Sequence, residues 1–235
     1  MLQQPIAIPR LEQGRLTAHH QLTPKIIVIQ IISDKPVSYL PGQYASFLIN
    51  EQRRPLSYAT PPQYPYLEFV VDISPGGVAS QFVQNLAPGD PVTFMSPYGR
   101  FLVEHESKRP LLFIATGSGI GPIRAQILAE LARDPALPMT LLFGNQDEHY
   151  FFFDDEFTEL AHIHPHFTFI PVCSEPSDVW AGERGLVTAV TPRRVKNLSE
   201  HAAYICGTPA MVKDTLAMLR EHGLPEAHLH TEQFT

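Results

Sequence analysis

Leu111-Leu112-Phe113-Ile114-Ala115-Thr116-Gly117-Ser118-Gly119-Ile120-Gly121-Pro122 decides how this chain is read. A short apolar run, a glycine-rich turn and a helix-prone stretch from Ile123 follow one another directly. That is the order strand, turn, helix N-terminus. Free N–H groups and the helix dipole at such a start favour an anion, and glycine lets a diphosphate approach the main chain. The spacing departs from the fingerprint G-x-G-x-x-G, because Pro122 stands where the third glycine belongs. The turn therefore points to a user of nicotinamide other than the ordinary Rossmann dehydrogenase.

Outward from this stretch, the second half of the chain alternates. Leu111–Thr116, Met139–Phe143, Phe167–Val172 and Ala203–Ile205 read as buried strands. Ile123–Arg133, Phe153–His162, Gly185–Val190 and Ala210–His222 read as helices between them. Such alternation implies a parallel sheet with helices on its faces. The first hundred residues differ. Lys25–Ile32, Tyr44–Ile49 and Leu67–Ile73 are short β-rich runs punctuated by Pro41-Gly42, Pro75-Gly76-Gly77, Pro88-Gly89-Asp90 and Pro97-Tyr98-Gly99. That pattern predicts a closed or nearly closed antiparallel β-barrel, interrupted by a helix at Val78–Leu86. The division is placed at the charged stretch Glu104–Pro110, giving domains 1–106 and 107–235.

Bulk composition narrows the function. At 235 residues and 44% hydrophobic residues the chain can bury a real core. A net charge of −7 argues against nucleic acid. Cys173 and Cys206 are too few for a disulfide framework, a four-cysteine iron–sulfur cluster or a four-cysteine zinc site. The N-terminus lacks a signal-peptide pattern, and no apolar run approaches the roughly 20 residues of a membrane span. A cytoplasmic protein without a membrane span is expected.

Two further features carry chemistry. In Arg53-Arg54-Pro55-Leu56-Ser57-Tyr58 an arginine offers a planar fork for a phosphate, and the serine hydroxyl three residues on can address a ring system. Ser74-Pro75-Gly76-Gly77-Val78-Ala79-Ser80 opens a helix and forms a second anion seat. Two phosphate seats in one barrel suit a dinucleotide flavin.

With Pro41-Gly42-Gln43-Tyr44, Pro97-Tyr98-Gly99-Arg100-Phe101, Cys206-Gly207-Thr208-Pro209-Ala210-Met211 and Glu232-Gln233-Phe234 added, the chain resembles the ferredoxin–NAD(P) reductase superfamily of flavoproteins across nearly its whole length. The resemblance implies a flavin-binding Greek-key barrel and a nicotinamide-binding α/β domain, with FAD rather than FMN between them. By position it implies that Arg54 binds flavin phosphate and Ser57 sits near N5. Pro55, Leu56, Tyr58 and Val71 would contact the flavin, and Gly76, Gly77, Val78 and Ser80 its pyrophosphate. Many relatives place an aromatic residue before the serine; Leu56 stands there, so stacking falls to Tyr58 or Phe234, or is weaker. Thr116, Gly117, Gly119, Gly121 and Pro122 would cradle the nicotinamide dinucleotide, with Ser174, Glu175, Gly207, Pro209 and Met211 completing its site. Cys206 would lie beside the nicotinamide ring. Ser57, Cys206 and Glu232 are the implied catalytic residues, Glu232 supplying charge or a proton relay.

NADP-preferring relatives often carry arginine directly after the serine that is Ser174 here. Glu175 stands there instead, and Asn145-Gln146-Asp147-Glu148 holds no basic residue, so NADH is expected over NADPH. Without length or cysteines for a fused iron–sulfur domain, electrons are expected to pass to a separate ferredoxin or oxygenase component. Free flavin as acceptor and a subunit role in a larger electron-transfer complex are the alternatives. The run His162-Ile163-His164-Pro165-His166 reads as a polar connection, and no metal is assigned.

Overall fold

The computed structural model describes residues 8–105 and 108–233. Six strands make the first half: β1 (Arg10–Thr23), β2 (Ile26–Ser33), β3 (Tyr44–Ile49), β4 (Gln52–Ser57), β5 (Leu67–Asp72) and β6 (Pro91–Tyr98), with α1 (Val78–Asn85) between the last two. They pair antiparallel in the order β4-β3-β6-β1-β2-β5. The two edges meet, since Tyr58 bridges Phe69 and the Ala59 N–H donates to the Glu68 carbonyl at 2.8 Å. The sheet has thus curled until its edges touch, which removes most of the unpaired backbone an open edge would expose. Phe47, Phe69, Phe94 and Tyr58 fill the interior with no exposure, Phe47 and Phe69 edge-to-face at 5.0 Å.

The second half is a six-stranded parallel sheet: β7 (Leu111–Thr116), β8 (Met139–Asn145), β9 (Phe167–Cys173), β10 (Glu183–Arg184), β11 (Ala202–Gly207) and β12 (Leu229–Gln233), in the order β10-β9-β8-β7-β11-β12. Four helices cover it: α2 (Ile120–Arg133), α3 (Asp154–Ile163), α4 (Val187–Arg194) and α5 (Pro209–Glu221). Along β7, Leu111, Phe113 and Ala115 pack with α2 and α3, while Leu112 and Ile114 pack with α4 and α5. Burial on both faces explains why these strands are continuous apolar runs. The first cluster does not stop at the sheet. It takes in Ile26, Val28, Ala59, Val70 and Phe101 of the barrel, so one apolar core joins the two halves.

Some elements differ from the sequence reading. A 3-10 turn, Gly117–Gly119, leads directly into α2 at Ile120, ahead of the expected start at Ile123. The expected helix Gly185–Val190 is α4, preceded by the short β10. β1, β4, β6 and β12 carry no apolar run: β1 buries little beyond Gly14, Leu16 and Thr23 and is held by ladders to β2 and β6. The division drawn between residues 106 and 107 falls on residues outside those described. Among the described residues no helix is long and apolar enough to cross a membrane.

Candidate active site

In a parallel sheet, ligands collect at the carboxyl ends of the strands where the strand order reverses. Here that place is between β7 and β11, and a cleft of about 1130 Å³ opens there against the barrel. Arg53–Ser57, Val70–Asp72 and the start of α1 form one wall; Thr116–Ser118, Gly144–Gln146, Ser174 and Gly207–Thr208 contribute to the other.

On the barrel wall, Arg54 lies along the rim of β4 and its guanidinium donates to the Arg53 carbonyl at 2.8 Å and to Gln52. Both partners are exposed and exchangeable, so the fork is free to turn to a phosphate. α1 begins at Val78 with Gly77 as an extended N-cap, without a side-chain cap and without an acidic residue in its first turn. The Gln81 N–H is already bonded to the Gly77 carbonyl, which leaves the earlier N–H groups directed at the cleft. Val78 and Ser80 line it, as does Val71; Gly76 stands just outside.

The glycine-rich turn divides its work. Gly117 takes a left-handed φ of 52°, and nothing lies within 4 Å of where its side chain would be. Gly119 lets the turn press on β11: a Cβ there would lie 2.4 Å from the Cys206 carbonyl oxygen. Gly121 faces the barrel, its Cβ position 3.5 Å from Val70. Gly207 likewise leaves no room, with Thr116 Oγ1 at 2.2 Å from a Cβ. The buried Thr116 Oγ1 and Asn145 Nδ2 have no partner among the described residues. Unsatisfied polar groups in a cleft wall are ligand-ready, and the open Gly117 and the α1 N-terminus fit two phosphate-bearing groups.

Ser57 and Glu232 are brought together from the two halves, the Ser57 hydroxyl donating to Glu232 Oε2 at 3.1 Å. Glu232 lies opposite Cys206 in the β11–β12 register. Desolvation pushes the Glu232 carboxyl up to about 7, with the Ser57 hydrogen bond opposing it. Burial, reinforced by Glu232, pushes the Cys206 thiol well up. Cys206 is fully enclosed and outside the cleft lining, so it is a neutral group beneath Gly207 rather than a reactive thiolate.

Other expected contacts fall elsewhere. Tyr58 is corrected: its ring is fully buried, stacked on Tyr39 at 3.7 Å with its hydroxyl bonded to Ser96, and cannot stack on a ligand. Leu56 and Pro55 line the cleft, as do Ser174 and Met211. Gly119, Gly121, Pro122, Glu175 and Pro209 lie outside its lining. Phe234 lies outside the described residues. Lys25 and Tyr150, which the sequence did not single out, line the cleft from opposite halves, the ammonium 4.5 Å above the ring. No local motif marks this pair; only the docked halves create it.

Residues 13–102 match the family described as Oxidoreductase FAD-binding domain. Residues 113–216 match Oxidoreductase NAD-binding domain. The phenol hydroxylase P5 protein of Acinetobacter pittii (strain PHEA-2) is 31% identical over 220 residues, 91% of this chain and 62% of that protein. The ferredoxin–NAD(P)(+) reductase component of naphthalene 1,2-dioxygenase/salicylate 5-hydroxylase systems from Ralstonia sp is 31% identical over 228 residues, 96% of this chain and 69% of that protein. This chain thus spans about two thirds of these relatives' length. The crystal structure of Amycolatopsis cytochrome P450 reductase GcoB is similar with a TM-score of 0.91 and 26% identity, over 97% of this chain and 70% of that one.

Proposed function

The chain belongs to the ferredoxin–NAD(P) reductase-like flavoproteins, and from that premise we propose that it takes hydride from NADH and delivers electrons through bound FAD to a separate ferredoxin or oxygenase component. The observation that carries the reading is the Ser57–Glu232 hydrogen bond, 3.1 Å, which joins Ser57 on the cleft wall to the desolvated carboxyl of Glu232 behind the lining, in a cleft whose walls offer one anion seat from each half. Flavin supplies the conversion of a two-electron hydride into electrons that leave one at a time. The chain's own residues supply the rest. The α1 N-terminus and Arg54 offer separate anion contacts, which suit the diphosphate of FAD better than FMN. With Glu232 protonated and donating to its oxygen, the Ser57 hydroxyl is released to donate where N5 gains electron density. Glu232, near neutrality in its proton affinity, is suited to hold or release a proton beside Ser57. Enclosure between barrel and sheet holds off water and aligns the reacting atoms.

The preference for NADH rests on the far end of the cleft. Ser174 lines the cleft, and the residue that follows it, Glu175, accepting from Gln146 Nε2 at 3.0 Å, is a carboxylate and not the cation that would support a 2′-phosphate. The passage to an oxygenase system follows the names of the relatives. The absorbance spectrum of the purified protein, followed by anaerobic titration with NADH and NADPH, tests the reading. A yellow protein bleached by NADH, with the higher kcat/KM for NADH, is expected. A colourless protein that reduces added flavin would overturn bound FAD; a higher kcat/KM for NADPH would overturn the preference.

A further inference from the structure

Arg124 is a buried cation that the reaction itself does not call for. It lies on α2, one turn beyond the glycine-rich turn, and its side chain is 7% exposed. Its guanidinium divides its donors between the two halves of the molecule. Nη1 donates to the Ala59 carbonyl and to Glu68 Oε1, both at 2.8 Å and both on the barrel. Nε and Nη2 donate to the two oxygens of Glu156 on α3, at 2.5 and 2.9 Å. The planar fork leaves little freedom: paired to Glu156 on one edge, it must aim Nη1 at the barrel. Phe153, whose φ of 61° is rare for a bulky residue, stacks against the guanidinium at 4.5 Å.

A buried ion cluster is weak evidence for stability, because desolvation offsets much of the attraction. Its value lies in geometry. Ala59 is two residues from Ser57, and Glu68 is two residues from Val70 on β5, which lines the cleft. Gly121, one turn earlier on α2, faces Val70 and Ala59, which lie 3.5 and 3.7 Å from its Cβ position. The same face of α2 therefore seats on the flavin-side strands and locks to them. We infer that Arg124 is a positioning residue: by tying α2 to Ala59 and Glu68 it sets the distance and angle between the nicotinamide turn and the flavin wall. The inference rests on the hydride-transfer reading above.

The geometry makes the two carboxylates unequal. Glu68 joins Arg124 across the halves; Glu156 joins it within one half. Glu68→Gln, Glu156→Gln and Arg124→Lys in the flavin-loaded protein test the difference. In stopped-flow reduction by NADH, Glu68→Gln is expected to slow the rate about tenfold or more, since small misplacements of reacting groups are costly, with the Kd for NADH little changed. Glu156→Gln should fall far less, and Arg124→Lys between them. Hydrogen exchange gives a readout independent of turnover: the Ala59 amide, bonded to Glu68, and the start of α2 should exchange faster in Glu68→Gln but not in Glu156→Gln. Should Glu68→Gln fail to hold flavin, Arg124→Lys against Glu156→Gln decides on the same measures. Equal losses in the barrel-side and sheet-side variants, or unchanged reduction in Glu68→Gln, would overturn the inference. Failure of the unsubstituted protein to be reduced by NADH would instead overturn the reading on which it rests.

Discussion

Glu232 is set near neutrality by opposed effects. Desolvation between the two halves raises its carboxyl, the Ser57 hydroxyl opposes that rise, and the balance lifts it from 4.5 to about 7. A carboxyl raised in the folded state binds its proton more tightly there than in the unfolded chain. Ionising it in place therefore costs stability, a cost that grows as pH rises from 4.5 to about 7 and is complete above that. Glu232→Gln removes the cost. Thermal melts of the flavin-free protein should show the variant more stable than the parent at about pH 8 and nearly equal at about pH 5; the opposite order would exclude this assignment. Ser57→Ala should act in two ways. Loss of the hydroxyl donor should slow flavin reduction by roughly tenfold or more while flavin stays bound. Loss of the same hydrogen bond should move the Glu232 titration further to alkaline pH, visible as a shifted pH–rate profile.

At the scale of elements, the glycine-rich turn separates what its spacing made to look uniform. Gly119 and Gly121 have different neighbours and different tolerance. A methyl at Gly119 meets the Cys206 carbonyl at 2.4 Å and the Gly207 nitrogen at 2.8 Å, both backbone, so α2 must lift off β11. Gly119→Ala should cost about 1–3 kcal/mol, the usual penalty of overpacking, and weaken NADH binding. A methyl at Gly121 meets Val70 at 3.5 Å, ordinary contact, and alanine favours helix by up to about 1 kcal/mol; Gly121→Ala should be neutral or stabilising. Urea unfolding of both variants checks the contrast. The contrast also marks the limit of sequence reading. The strand–turn–helix order of Leu111–Pro122 was legible because its signals are local: an apolar run, then glycines, then helix formers. The partners that give each glycine its task, Cys206 on β11 and Val70 on β5, arrive only with the fold. Tyr58 follows the same logic. Next to Ser57 in the chain it was a candidate to stack on flavin, but strand alternation and the barrel's closure turn it inward onto Tyr39.

At the scale of the molecule, the two-part division was legible from the change between punctuated strands and strand–helix alternation. What was not legible is that the parts share a core. Ile26, Val28, Ala59 and Val70 pack into the same apolar cluster as Phe113, Ile120 and Ile123, and each of these positions looks like an ordinary interior residue of its own half. The Arg124–Glu68 pair, 2.8 Å, adds a polar lock to that seam. A continuous core makes separate unfolding costly, because opening the seam exposes apolar surface on both sides. The flavin-free protein should therefore melt in one calorimetric transition. Ligand that binds only the folded state raises the whole transition: FAD at a hundredfold its Kd contributes about 2.7 kcal/mol, or roughly 5–10 °C for a chain of this length. Two transitions, with only the first moved by FAD, would mean that the halves fold independently and that the shared cluster does not couple them.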